Sequence, residues 1–336
     1  MPFINDMIAQ SKREKSFSDL SRFTFDYQGI MKCLHEQIIG QEESLLMIGK
    51  ILKVIKVNIA NPQKPLGVFL LAGPTGVGKT QTVRLITQCI YGSQDQFCRI
   101  DMNTLSQEHY SASLTGAPPG YVGSKEGNTL FDVSLIEGSY SKPGIVLFDE
   151  IEKANPQVIR AILNVIDNGK MILTSGNKTI DFKNTIIFMT SNLGAKKLFR
   201  FQNGFFYKFF VINKLKKEKQ IVRSALEDFF DPEFLNRIDA ILYYKKIRSD
   251  FVEKIILLEL TKLNNRLEEK NIQISLSKNA IEVLKKSYDS KYGARDICRK
   301  FRTCIEPLVA DVLLTQNNQK IIEITAYSSG FCIENT

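Results

Sequence analysis

Residues 68 to 80 constrain the chain more than any other stretch. Val68-Phe69-Leu70-Leu71 is a compact apolar run, residues 73 to 80 read G-P-T-G-V-G-K-T, and a helically periodic segment with Val83, Leu85, Ile86 and Ile90 follows. Strand, glycine-rich loop and helix therefore come in the order that the pattern G-x-x-x-x-G-K-[ST] requires. Gly73, Gly76 and Gly78 let the backbone of Gly73, Pro74, Thr75, Gly76, Val77 and Gly78 turn its N–H groups inward around phosphate oxygens. The helix that begins near Lys79 points its positive dipole end at the same place. In such a loop Lys79 reaches the β- and γ-phosphates, and the Thr80 hydroxyl ligates Mg²⁺. The candidate ligands are thus ATP and Mg²⁺.

Two further apolar runs, Ile145-Val146-Leu147-Phe148 and Ile186-Ile187-Phe188-Met189, are bounded by polar or turn residues and separated by helical patterns. Strands alternating with helices predict an α/β fold, a parallel sheet sandwiched by helices. Asp149 and Glu150 follow the second run directly. Open α/β sheets bind ligands at the carboxyl ends of their strands. There Asp149 can hold Mg²⁺ through water, and Glu150 can polarise an attacking water, the division of labour that phosphoryl transfer to water needs.

A length of 336 residues accommodates two domains of about 150 residues each. Two histidines, His35 and His109, leave little for triads or zinc-protease helices. Six cysteines without C-x-x-C spacing give neither a disulfide scaffold nor a tetrahedral metal site and read as reduced thiols of a cytoplasmic protein. No stretch has the ~18 apolar residues of a membrane span, and the start lacks the apolar core of a leader. The net charge of +9 is spread through the chain, with one dense patch between Lys208 and Lys219, which argues against nucleic acid as a partner.

Residues 1–26 are polar and aperiodic and read as a flexible arm, with order starting near Tyr27. Apolar spacing from Ile30 to Ile59 predicts two helices meeting near Ile39-Gly40. After Ile247 the pattern changes to a long amphipathic helix (Phe251, Ile255, Leu258, Leu263, Leu267), an alternating Ile272, Ile274, Leu276, more helix and a strand-like Ile321-Ile322-Glu323-Ile324. These changes divide the chain into an arm, a large ATPase domain over 27–246 and a smaller, mainly helical domain over 247–336.

The motifs G-P-T-G-V-G-K-T, G-A-P-P-G-Y-V-G (116–123), L-F-D-E-I-E-K-A (147–154), M-T-S-N-L-G (189–194), F-L-N-R-I-D (234–239) and Y-G-A-R (292–295), in this order, closely resemble the Clp-type AAA+ unfoldases. The likeness is to the second ATPase ring of the double-ring members ClpA, ClpB and ClpV and runs from about residue 28 to about 326. It implies that Ile38 and Ile39 pack on adenine, that Asn192 senses the γ-phosphate, and that Arg295 contacts nucleotide from the small domain. It implies that Arg237 is an arginine finger given to the neighbouring subunit of a self-assembled ring, by family habit a hexamer. Tyr121 and Val122, between glycines, match the loop lining the central channel, through which protein clients would be threaded. The implied activity is ATP hydrolysis driving protein unfolding or remodelling.

The chain also departs from that pattern. Asn177-Lys178 stands where relatives carry a Gly-Arg pair, and a lysine loses the bidentate geometry of arginine. Asn203-Gly204-Phe205 falls near the spacing of a protease-docking loop, but Asn203 replaces its aliphatic residue, which argues against a peptidase partner. The resemblance leaves no counterpart in these residues for the amino-terminal adaptor domain, first ring and middle domain of the double-ring members, so clients are expected to be delivered by the arm or by an adaptor. The alternative reading is a nucleotide-switched scaffold or secretion-system component that binds ATP and assembles without threading.

Overall fold

The computed structural model describes residues 21–106, 130–172, 179–203, 214–315, 321–327 and 330–334. Tyr121, Val122, Asn177 and Lys178 lie outside the described residues, as do the first twenty residues of the arm and Gly204 and Phe205. The chain divides into two compact units: residues 1–35, 43–73 and 79–243, and residues 36–42, 74–78 and 244–336.

The first unit is built on five parallel strands, β1 (Gly67–Ala72), β2 (Cys98–Asp101), β3 (Gly144–Asp149), β6 (Thr185–Ser191) and β7 (Ala240–Tyr243), in the order β2-β3-β6-β1-β7. The three apolar runs of the sequence are its central strands, β1, β3 and β6, buried along their whole length. Such runs fit strands covered on both faces. The edge strands alternate instead, with Cys98 and Ile100 buried in β2 and Ala240 and Leu242 in β7. A small antiparallel pair, β4 (Lys170–Ile172) and β5 (Thr179–Asp181), completes the strands of this unit among the described residues.

Helices flank the sheet: α1 (Tyr27–Gln37), α2 (Glu42–Lys56), α3 (Lys79–Tyr91), α4 (Val133–Glu137), α5 (Pro156–Asn168), α6 (Ala195–Asn203), α7 (Lys214–Glu227) and α8 (Pro232–Asn236). Two of them are the pair that the spacing from Ile30 to Ile59 predicts, and α2 buries Leu45, Ile48, Leu52 and Ile55, one stripe at helical spacing. The ends of α5 are written locally. Asn155 accepts a hydrogen bond from the Gln157 N–H, Pro156 opens the first turn, and Gly169 at φ 63° closes the last.

The expectation that order starts near Tyr27 is corrected. Phe23 is 1% exposed and Phe25 is also buried, Lys56 Nζ donates to the Phe23 carbonyl at 2.6 Å, and the Thr24 N–H donates to Ser141 at 3.0 Å. Two aromatic side chains bury enough surface to fix a segment without periodicity.

The second unit packs α9 (Val252–Leu267), α10 (Lys278–Lys286), α11 (Ala294–Lys300) and α12 (Glu306–Leu314) around a three-stranded sheet. Here β8 (Gln273–Leu276) and β9 (Ile321–Tyr327) run parallel, and β10 (Gly330–Glu334) pairs antiparallel to β9. Ile256, Leu284, Ile297, Ile305 and Ile324 form its centre.

Candidate active site

Strand β3 ends in Asp149, and Glu150 follows in a left-handed backbone conformation, φ 59° and ψ 54°. For a residue with a side chain this costs about 1–2 kcal/mol and has to be imposed by its surroundings. The Glu150 N–H donates to Thr190 Oγ1 of β6 at 2.9 Å, and Thr190 Oγ1 donates to Asp149 Oδ1 at 2.5 Å. The other oxygen of Asp149 accepts from Arg99 Nη2 of β2 at 2.6 Å. Adjacent strand ends thus hold both carboxylates.

Glu150 is tied by two amides. Asn192, just past β6, donates from Nδ2 to Oε1 at 3.0 Å, and Asn103, just past β2, donates from Nδ2 to Oε2 at 3.0 Å. Asn103 also donates to Asp101 Oδ1 at 2.8 Å. Asn192 is fixed in turn by Glu152, whose Oε1 accepts the Asn192 N–H at 2.9 Å. Lys79 Nζ donates to the Gly73 carbonyl at 2.6 Å and to Asn192 Oδ1 at 2.9 Å. Lys79, Asn192, Glu150 and Asp149, four residues from three separate motifs, are therefore brought into one network.

Thr80 stands in the first turn of α3. A hydroxyl and one carboxylate are hard oxygen donors, and among the described residues no group of three or more His, Cys, Asp or Glu could cage an ion. That donor set fits Mg²⁺, which binds through one or two carboxylates together with phosphate oxygens and water. With Arg99 and Thr190 already on its oxygens, Asp149 suits a contact through water.

The crest of the loop belongs to the second unit. A Cβ on Gly76, at φ 73°, would meet the Tyr292 carbonyl oxygen at 1.9 Å, and one on Gly293, at φ 59°, would meet the Gly76 carbonyl oxygen at 2.5 Å. The Ala294 N–H donates to the Gly76 carbonyl at 2.8 Å. Only paired glycines permit this approach, which places the first turn of α11, with exposed Arg295, beside the crest. Ile38 is buried and lies against Gly78, where an added Cβ would touch its Cδ1 at 3.4 Å. Ile39 packs against the core of this unit, and Gln41 exchanges two hydrogen bonds with the Lys245 backbone, at 2.9 and 2.8 Å.

Arg237 is exposed just past α8 and is not drawn into the carboxylate network. Its Nε pairs with Asp167 Oδ1 of α5 at 3.0 Å. Asp239, the partner that proximity in sequence suggests, instead accepts the Val68 N–H at 2.8 Å. Arg99, Asn103, Thr190 and Glu152 are the site residues that sequence reasoning does not single out. Two of them stand inside quoted motifs, but their partners are set by strand register.

A glycine-rich loop that closes a parallel strand, with paired carboxylates on a neighbouring strand, defines a P-loop nucleotide-binding α/β protein. Residues 64–241 match the family described as AAA domain (Cdc48 subfamily), and residues 247–326 match the C-terminal, D2-small domain, of ClpB protein. The chain belongs to the Clp-type AAA+ ATPases, with the domain order of the second ring of ClpC and Hsp104.

It is 38% identical to the ATP-dependent protease ATP-binding subunit-like protein AmiB of Pseudomonas aeruginosa, over 97% of this chain and 96% of that one. It is 36% identical to the Clp protease ATP-binding subunit ClpC of Staphylococcus aureus, over 88% of this chain but 36% of ClpC. Among solved structures, Hsp104 with ATPγS and FITC-casein matches 92% of this chain and 51% of its own, with a TM-score of 0.76 and 27% identity. The Saccharomyces cerevisiae Hsp104:casein complex in its extended conformation gives a TM-score of 0.78 at the same identity.

Proposed function

We propose that this chain hydrolyses ATP and uses the energy to unfold or remodel proteins. The observation that carries the reading is the tethered Glu150, a carboxylate in a strained backbone held by two amides within one network with the loop lysine. A general base must be aimed before the water arrives, and a carboxylate held in this way supports that role for Glu150. Lys79 and the loop amides would bind the triphosphate, with Ile38 and Ile39 against the base and Arg295 contacting the nucleotide. Asn192 would orient the water, and Glu150 would take its proton. Thr80 and Asp149 would hold Mg²⁺, which when bound neutralises charge on the β- and γ-phosphates.

In this reading residues 27–246 form the ATPase domain and 247–336 the small domain. Copies assemble into a ring, a hexamer by family likeness, and Arg237 leaves Asp167 to serve the neighbouring γ-phosphate. An arginine finger is worth about 10³–10⁵ in rate, so an isolated copy would be nearly idle. Tyr121 and Val122 would grip the client, broad apolar surface at low entropic cost. We place the activity in the cytoplasm, with an adaptor as the means of delivery. Among the described residues no helix is long and apolar enough to cross a membrane.

Two measurements test this. Mixing Arg237→Ala subunits with Glu150→Gln subunits should restore ATP turnover, since each supplies what the other lacks, and absence of rescue would remove Arg237 from action in trans. A tagged fluorescent protein should be unfolded by the wild type and hardly at all by Tyr121→Ala, with ATP turnover affected far less. A chain that turns over ATP but never unfolds the substrate is a nucleotide-switched scaffold instead.

A further inference from the structure

We infer that Arg99 is a positioning residue that sets Asp149 for the magnesium-bound nucleotide; the inference rests on the ATPase reading above. Strand β2 alternates, so Cys98 and Ile100 enter the core while Arg99 and Asp101 face the other way. It runs parallel to β3 with Arg99 opposite Leu147 and Asp101 opposite Asp149. Arg99 therefore starts two residues, roughly 6–7 Å, short of the carboxylate it meets and reaches along the strands toward their carboxyl ends. At 2.6 Å its Nη2 fixes one oxygen of Asp149 while Thr190 fixes the other. No freedom to swing remains.

The electrostatics of the strand ends call for this cation. Asp101, Asp149, Glu150 and Glu152 crowd the turns after β2 and β3, and among the described residues the Arg99 pair is the only ion pair made by any of the four. Structural stability does not account for it. The Arg99 side chain is 45% exposed, so solvent screens much of what the pair adds to folding. A planar, weakly hydrated guanidinium that is always charged can instead hold a carboxylate in one orientation while leaving a lone pair on each oxygen for water.

The test is the affinity of the full-length protein for a fluorescent ATP analogue, measured with Mg²⁺ and with a chelator. The ratio of the two affinities isolates the metal-dependent part. Loss of an outer partner of a metal ligand typically costs 10–100-fold, so Arg99→Ala should reduce the ratio by about tenfold while the chelator value stays within about twofold. Arg99→Lys, which keeps the charge and loses the planar guanidinium, should recover part of it and serves if the alanine variant folds poorly. Asp149→Asn should match Arg99→Ala, and the double variant should lose no more than either, because both act through one carboxylate. A ratio unchanged in Arg99→Ala, or losses that multiply in the double variant, would overturn the inference. A wild type without any Mg²⁺-dependent gain would overturn the ATPase reading itself, and the inference with it.

Discussion

Two clusters of buried or half-buried acids, one in each unit, are built from the same chemistry and closed in different ways. In the second unit Asp296, in the first turn of α11, is 1% exposed. Its carboxylate accepts from Lys300 Nζ at 2.6 Å, Arg299 Nη2 at 2.8 Å and the Asp289 N–H at 3.0 Å, and Lys300 also donates to the Ser287 carbonyl. Burial pushes the acid up, but Lys300, the Asp289 amide and Arg299 together hold it below the ordinary aspartate value of 3.8. In the first unit, Asp149 and Glu150 are held by two side-chain donors each, but these come from separate elements, β2 and β6 and the turns just past them, and Glu150 stands in a left-handed conformation. The difference teaches how to tell architecture from poised chemistry. Donors on the acid's own helix and the adjoining backbone stay with it, whereas a residue in a strained backbone, held by side chains from separate strand ends, can change partners when a ligand arrives.

The largest effect expected is from Glu150→Gln. An amide cannot take the proton, and its NH₂ would face the NH₂ of Asn103 or Asn192, so turnover should fall by about 10²–10⁴ with nucleotide still bound. Phosphate release and nucleotide titration measure the two, and unchanged turnover would remove Glu150 from the role. Asp296→Asn is the counterpart in the other cluster. It leaves Lys300 without its charge partner and should cost about 3–5 kcal/mol in urea unfolding. The sign with pH follows from the lowered acid: its stabilisation is present above 3.8 and is lost as pH falls through the still lower folded value. The wild type should therefore lose its advantage over Asp296→Asn in that acid window, and parallel stability curves would contradict the assignment.

Asn103→Ala addresses the tether at the strand ends, with an intermediate effect. Loss of the aim it gives Glu150 should lower turnover by about tenfold, roughly 1.4 kcal/mol in the barrier. Asn103 is exposed, so unfolding should be unaffected within about 0.5 kcal/mol. If stability fell and turnover did not, the tether would be architecture like that of Asp296, and the contrast between the clusters would fail.

What the sequence made legible follows the same physics. The central strands are visible because burial on both faces requires unbroken apolar runs, and the loop is visible because phosphate binding requires glycine, lysine and threonine at fixed offsets. Strands β2 and β7 escape notice, since four alternating residues at a sheet edge look like many loops. With β2 unseen, Arg99 and Asn103 had no address, because their meeting with Asp149 and Glu150 depends on the register between β2 and β3. The partner of Arg237 was hidden likewise, Asp167 being distant in sequence and Asp239 close. Family likeness ordered the motifs without revealing which side chains hold them. Phe23 and Phe25 show the limit of periodicity, for two aromatics can anchor a segment that has no repeat at all.

The smallest effect belongs to Tyr288, and it bears directly on how completely the Asp296 cluster is closed. Its hydroxyl is buried and finds no hydrogen-bond partner among the described residues. Burial, with the negative charges of Asp296 and Asp289 nearby, pushes its ionisation up to about 12. A phenol could donate to a carboxylate, but the donors on Asp296 come from Lys300, Arg299 and the Asp289 backbone. Tyr288→Phe removes only an unsatisfied polar group and should leave stability unchanged or raise it by about 1 kcal/mol. A loss beyond about 1.5 kcal/mol would mean that the hydroxyl donates in solution, in which case the cluster is open to rearrangement and differs from the strand-end carboxylates in degree rather than in kind.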